Sequence, residues 1–129
     1  HDIPFPENTF DVIFCNHVLE HVQDDKKAMR EMLRVLKPGG WAILQIPIFK
    51  PLIAKTIEDP TLEDPQKRAE LFGQDDHVRM YGKDYADRIR STGFEVIEEN
   101  FISDLEPSLI KKYALPEGEI IHRAIKPDQ

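Results

Sequence analysis

Two short apolar runs joined by one amphipathic stretch constrain the fold more than any other feature of this chain. Phe10 to Cys15 and Trp41 to Ile46 are both rich in β-branched and aromatic residues. Runs of this kind are typical of strands that are covered on both faces of a sheet. Between them, Asp24 to Leu36 has apolar residues at helical spacing, at Met29, Met32, Leu33 and Leu36. Strand, helix and strand in this order predict a right-handed βαβ unit with parallel strands, and therefore an α/β fold.

The rest of the sequence contains one long irregular segment, with short predicted helices and strands within it and after it. Pro38-Gly39-Gly40 predicts a turn that stops the first helix, since Pro cannot continue it and Gly tolerates positive φ. Residues 48–80 are rich in Pro and acidic residues, which argues against a buried element and favours a lid or binding loop. We expect helices at 65–72 and 83–92, a helical turn within 104–113, and strands at 94–101 and 119–126.

Composition excludes several classes of function. The chain has 129 residues, which is one domain or less, and 17 basic against 24 acidic residues give a formal charge of −7. No basic stripe is visible, so we expect no nucleic-acid partner. No apolar run reaches about 18 residues, so we expect no membrane association. Cys15 is the single cysteine and cannot form an internal disulfide, which fits a buried structural thiol in a reducing cytoplasm.

Four short blocks together resemble a known family. They are Asp2–Pro6, Phe10–Ile13, Val18–Val22 and Arg34–Gly40. Their order and spacing resemble the second half of a class I S-adenosylmethionine (SAM) dependent methyltransferase of the type 11 group. The resemblance implies a partial Rossmann-like sheet, made of strands 4-5-7-6 of the family order 3-2-1-4-5-7-6, with flanking helices and without the N-terminal half.

The family features that hold most of the cofactor are not found in this sequence. They are a Gly-rich turn after the first strand and an acidic residue that ends the second strand. Gly39-Gly40 cannot replace that turn, because it follows a helix rather than a strand. The chain also begins at His1 within a motif. We therefore expect residues 1–129 to be the C-terminal part of one methyltransferase domain, with 48–80 as a lid. We expect this chain alone to bind SAM weakly or not at all and to be inactive.

Candidate cofactor-binding residues follow the first predicted strand. Ligands of open parallel sheets bind at the carboxyl ends of the strands, which makes Asn16, His17 and Val18 the first positions to consider. In the family, the residue at the position of Asn16 contacts SAM. The alternative role of Asn16 is to turn the chain.

Two histidines are candidates for a catalytic base, His17 on the same edge of the sheet and His77 in the segment Asp75–Gly82. That segment resembles the His-Val-Arg-x-Tyr motif of bacterial type 11 relatives. The alternative is that His77 and Arg79 pair with Asp75 or Asp76 and pin the loop. Because no second His or Cys lies at ligand spacing, we expect no metal site.

Glu20 and His21 match the family's Leu-Glu-His block, and their alternative role is to fix the loop in which they lie. The resemblance implies a parent enzyme that methylates an unidentified small molecule. The enzyme's main contribution to methyl transfer is to align the two reactants, and the reaction often needs no dedicated acid or base. The competing hypothesis is a non-catalytic interaction module derived from a methyltransferase half. In either case, residues 10–15 would form an apolar sheet edge, which favours a homodimer through that strand.

Overall fold

The fold is built on a four-stranded mixed sheet. The computed structural model describes residues 2–47, 52–99, 106–112 and 120–128. The strands are β1 Phe10–Asn16, β2 Leu36–Gln45, β3 Ile57–Glu58, β4 Arg79–Met80, β5 Glu95–Glu99 and β6 Ile121–Ile125. The helices are α1 Asp25–Val35, α2 Pro65–Phe72, α3 Tyr85–Arg90 and α4 Pro107–Lys112. None of the helices within these ranges has both the length and the apolar character needed to cross a bilayer.

The main sheet has the order β1-β2-β6-β5. β1 and β2 are parallel, with Asn16 opposite Gln45, whereas β6 runs antiparallel to both β2 and β5. The predicted α/β fold and the parallel βαβ unit are therefore confirmed. The predicted elements at 65–72 and 83–92 are present as α2 and the shorter α3. The ends of the strands predicted at 94–101 and 119–126, and part of the turn within 104–113, lie outside the described residues.

The boundary between α1 and β2 differs from the prediction. The helix ends at Val35 and the strand begins at once, so Pro38-Gly39-Gly40 forms part of β2 rather than a turn. Gly39 has a φ of 79°, and its N–H donates to the Lys126 carbonyl at 2.9 Å. A Cβ on Gly40 would lie 2.8 Å from the Lys37 carbonyl oxygen and 2.9 Å from that of Asp11. Glycine is required there because a side chain would collide with one carbonyl oxygen of its own strand and one of β1.

One face of the sheet holds the core. Met29 and Met32 of α1 and Ile89 of α3 pack with Leu44 of β2 in a single buried cluster. On the opposite face, Phe14 is 69% exposed. The expectation that both faces would be covered is therefore wrong for the part of the chain that the structure describes. An apolar run alone cannot show whether the second covering layer is present.

The segment 48–80 is anchored more deeply than its composition predicts. Its first residues, 48–51, lie outside the described ranges. Phe72, His77, Val78 and Arg79 are all buried, and β3 pairs with β4 in a small antiparallel ribbon. The expectation of no buried element is wrong at this end of the segment, because long-range hydrogen bonds compensate the burial of Arg79 and a local one, to the Phe72 carbonyl, compensates that of His77.

Candidate active site

The predicted cofactor residues lie together at the carboxyl ends of the two parallel strands. Asn16 is the last residue of β1, and the His17 N–H donates to the Gln45 carbonyl at the end of β2, at 2.8 Å. Asn16, His17 and Val18 are all exposed. His17 has a φ of 55°, a left-handed conformation that is uncommon for a residue with a side chain. This backbone turn ends the strand and directs the following residues across the edge of the sheet.

Arg79 holds the loop that follows these residues. Its guanidinium donates hydrogen bonds to the carbonyl oxygens of Leu19, Val22 and, at 2.8 Å, Gln23. The side chain of Arg79 is 2% exposed, so these carbonyls are satisfied without water. Arg79 therefore pins the loop after β1. The expectation that it pairs with Asp75 or Asp76 and pins its own segment is wrong, because its ion pairs are with Asp25 and Glu58. Sequence reasoning missed the partners in the loop because they lie up to 60 residues away.

The charge of Arg79 is balanced by a network of ion pairs and hydrogen bonds that is buried except at Glu58, whose side chain is 40% exposed. Its members are Asp25, Glu58, Arg79, Tyr81 and Arg88. The Asp25 carboxylate accepts from Tyr81 Oη at 2.6 Å and from Arg88 Nε at 2.7 Å. Glu58 accepts from Arg79 at 3.0 Å and from Arg88 at 2.9 Å. Burial raises the pKa of Asp25, but hydrogen bonds from Arg88 and Tyr81 and the charges of both arginines outweigh it and lower the pKa overall.

The second candidate base, His77, is not on the exposed edge with His17. It is 2% exposed, and its Nδ1 lies 3.0 Å from the Phe72 carbonyl oxygen. Its ring packs edge-to-face on the ring of His21, with 4.7 Å between centroids. His21 in turn contacts Asp76, whose carbonyl oxygen lies 3.2 Å from Nδ1. Within the described residues, Asp76 thus contacts His21 rather than Arg79. The fold also brings together two histidines that lie 56 positions apart in the sequence.

Cys15 has the environment of a structural thiol. Burial, followed by the nearby charge of Glu20, raises the pKa of Cys15 to about 11. A thiol with so high a pKa is almost entirely protonated near neutral pH and is a poor nucleophile. The structure therefore agrees with the structural role that the sequence indicated.

A cleft of about 240 Å³ opens beyond the end of β2, and its lining includes Ile46, Leu52, Tyr81, Tyr85 and His122. The rings of Tyr81 and Tyr85 lie 4.6 Å apart, and Tyr85 packs edge-to-face on His122 at 4.8 Å. Burial lowers the pKa of His122, with a smaller opposing effect from Glu98. No local pattern assigns His122 to a site, because β6 and β2 become neighbours only in the folded sheet.

Comparisons with known proteins agree with this architecture. Residues 1–44 match the family model of a methyltransferase domain. The ubiquinone/menaquinone biosynthesis C-methyltransferase UbiE of Vibrio parahaemolyticus is 33% identical over 129 residues, which cover 97% of this chain and 48% of that protein. The chain thus spans about half the length of this curated relative.

Solved structures extend the similarity to the fold. The YcgJ protein of Bacillus subtilis superposes with a TM-score of 0.61 at 18% identity, over 99% of this chain and 68% of that one. The 1,6-didemethyltoxoflavin-N1-methyltransferase of Burkholderia thailandensis, solved with S-adenosylhomocysteine, gives 0.58 at 14% identity, over 96% and 47% of the two chains. The chain is therefore similar in sequence to the methyltransferase domain family and to UbiE, and it shares the fold of the matching part of a solved methyltransferase.

Proposed function

We propose that the chain is the C-terminal part of a SAM-dependent methyltransferase domain whose acceptor is a small molecule. β1, β2, β6 and β5 then correspond to strands 4, 5, 7 and 6 of the family order. The observation that carries this proposal is the position of Asn16 and His17 at the adjacent carboxyl ends of two parallel strands. In open α/β sheets this edge is where ligands bind.

The residues present fit one wall of a SAM site. Asn16 offers an amide to hydrogen-bond donors and acceptors of the cofactor, and Val18, which is 46% exposed, offers an apolar contact. Gly39 and Gly40 do not form another wall, because they lie in the first half of β2, away from its carboxyl end. The proposal therefore assigns cofactor contacts to Asn16, His17 and Val18 only.

SAM, when bound, supplies a methyl group on a positively charged sulfur. The contribution of this chain is to orient the acceptor and to exclude water. The cleft lined by Tyr81, Tyr85 and His122 borders the end of β2 and is our candidate for the acceptor side. His17 is the better placed of the two candidate bases, because it is exposed whereas His77 is buried. A base must reach the proton that it accepts.

The cleft also favours a class of acceptor. Its aromatic rings would pack against a planar, largely apolar ring system. The name of the Vibrio relative concerns ubiquinone and menaquinone biosynthesis. We therefore propose an aromatic or quinone-like acceptor that receives its methyl group on carbon.

One structural observation and one sequence comparison support the proposal that the rest of the domain, which would cover the second face of the sheet, lies outside these 129 residues. The second face of the sheet leaves Phe14 69% exposed, and the chain spans only 48% of the matched UbiE protein. We expect the 129-residue chain alone to bind SAM no more tightly than about 1 mM. Isothermal titration calorimetry tests this expectation, and micromolar binding by the isolated chain would contradict it. The proposal includes a cytoplasmic setting, which fits a chain with a single cysteine.

The site assignment is tested in a complete methyltransferase that contains this chain. Asn16→Ala and His17→Ala should each weaken S-adenosylhomocysteine binding, because each removes a contact from the cofactor wall. Losses of about tenfold are expected for one hydrogen bond. Glu7→Gln is a matched control, since Glu7 is exposed and precedes β1 at the opposite end of the strand. Equal affinities for all three variants and the wild type would refute the assignment.

A second proposed role, as an interaction module, is favoured by the edge position of β1. This strand has β2 on one side only in the described sheet, and Phe14 projects an exposed ring that contacts Trp41 edge-to-face. An apolar edge with unpaired backbone groups promotes association, here between two copies of the chain. Light scattering after gel filtration should show a dimer that Phe14→Lys converts to a monomer. A wild-type chain that stays monomeric at high concentration would exclude this role.

A further inference from the structure

Three side chains from two distant parts of the sequence converge beside the loop that Arg79 holds. Glu20 and His21 belong to the single 3-10 turn Leu19–His21, and His77 precedes β4. One potential ligand atom from each of them lies within 4.8 Å of the other two. The backbone joins the same partners, since the Val78 N–H donates to the Glu20 carbonyl at 2.8 Å. The loop contacts therefore fix the distance between the two histidines and the carboxylate.

Glu20 is the first reason to expect a ligand here. The residue is 2% exposed, yet within the described part of the chain its Oε2 has no hydrogen-bond partner. Its Oε1 lies 3.5 Å from His21 Nε2, which is a loose contact for an ion pair. A buried carboxylate oxygen that no protein donor reaches is costly. A bound cation would supply that compensation.

The hydrogen bonds of the histidines provide the second reason. His77 Nδ1 donates to the Phe72 carbonyl oxygen at 3.0 Å, and His21 Nδ1 faces the Asp76 carbonyl and carboxylate oxygens at 3.2 and 3.3 Å. In both rings the acceptor beside Nδ1 places the proton on that nitrogen and makes Nε2 the basic atom. A carbonyl or carboxylate behind the ring is the arrangement that orients metal-binding histidines.

We propose that Glu20, His21 and His77 bind a divalent transition-metal ion, with Zn²⁺ as the best match for two imidazoles and one carboxylate. In a tetrahedral zinc site, ligand atoms about 2.0–2.2 Å from the ion lie about 3.4 Å from one another. Closing the present cluster around an ion thus needs movements of about 1 Å. The fourth position is open toward His21, whose side chain is 34% exposed. This site revises the expectation of no metal, which considered spacing along the sequence only.

The experiment measures Zn²⁺ binding to the 129-residue chain by competition with a chromophoric chelator. We expect one ion per chain. Glu20→Gln and His21→Asn should each reduce its affinity at least about tenfold, since each removes one of three ligands. His17→Asn is the matched control and should leave the affinity unchanged, because His17 lies outside the cluster. Substitution with Co²⁺ should give the strong visible absorption of a four-coordinate ion, and this absorption should disappear in Glu20→Gln.

Folding of the variants is checked by circular dichroism. The thermal midpoint of the wild type should rise with added Zn²⁺, and that of folded Glu20→Gln should not. His21 is partly exposed, so His21→Asn keeps the test decisive even if the buried His77→Asn variant does not fold. The proposal is overturned if the folded wild type binds no Zn²⁺ below about 100 µM. It is equally overturned if the Glu20→Gln, His21→Asn double variant binds as tightly as the wild type.

Discussion

Replacement of Asp25 by Asn should destabilise the chain far more than a similar change at the surface. Asp25 is 2% exposed and accepts hydrogen bonds from Tyr81 at 2.6 Å and from Arg88 at 2.7 and 2.9 Å. Removing one partner of a buried ion pair costs about 3–5 kcal/mol, because the remaining charge stays buried. Glu58 still pairs with both arginines, so we expect a value near the lower limit, about 3 kcal/mol.

Urea denaturation followed by circular dichroism measures this loss. For a denaturant slope of about 1.5 kcal/mol per molar urea, 3 kcal/mol moves the midpoint by about 2 M. Asp87→Asn is the control, since the Asp87 side chain is 81% exposed and pairs only at the surface with Arg90 in the described structure. Its loss should stay below about 0.5 kcal/mol.

A double-mutant cycle separates the ion pair from other effects of the substitution. In the background of Arg88→Met, the loss caused by Asp25→Asn should shrink by at least about 1 kcal/mol, because one buried cation has been removed. Equal midpoint shifts for Asp25→Asn and Asp87→Asn would refute the reasoning. An unchanged loss in the Arg88→Met background would show that the pair is not coupled.

Further measurements test other features of the fold. Gly40→Ala should cost about 2 kcal/mol in urea denaturation, because a Cβ would lie 2.8 Å from one backbone carbonyl oxygen and 2.9 Å from another. Cys15 should react slowly with a disulfide reagent at pH 8, where a pKa of about 11 leaves about one thiol in a thousand ionised, and it should react much faster in urea. The folded-state pKa of Asp25 is lowered, so its stabilisation is present above the unfolded pKa of about 3.9 and is lost as pH falls through the folded value. The wild type should therefore lose more stability between pH 5 and 2 than the Asp25→Asn variant does, and equal losses would contradict that assignment.

Local patterns predicted the regular elements because the neighbours that matter are close in sequence. The apolar run beginning at Phe10 became β1, and Pro65 at the first helical position after Asp64 marked the start of α2. Asp64 caps that helix by accepting from the Gln66 N–H at 2.9 Å. Such signals depend on residues only a few positions apart, so a single sequence is sufficient to detect them.

The arrangement around the candidate site depended on contacts that no local pattern contains. His77 and Arg79 are polar and show no periodicity, yet both are buried. The β1–α1 loop supplies carbonyl acceptors to Arg79 and the packed ring of His21 to His77. His122 entered the cleft only through the pairing of β6 with β2. The edge position of Asn16 was predictable, since it follows from the direction of a parallel strand.

The attachment of the β1–α1 loop to Arg79 has a consequence for synthesis of the chain on the ribosome. Leu19 and Val22 are separated from Arg79 by 60 and 57 residues. At about 5–20 residues per second, Arg79 is added about 3–12 s after these loop residues. During that interval β1 and α1 can form, but the carbonyls of the loop remain hydrated and its path is not fixed. The edge of the sheet at the carboxyl ends of β1 and β2 therefore acquires its final shape only after Arg79 has been added, and a pause between residues 23 and 79 would prolong the exposure of that edge to chaperones and proteases.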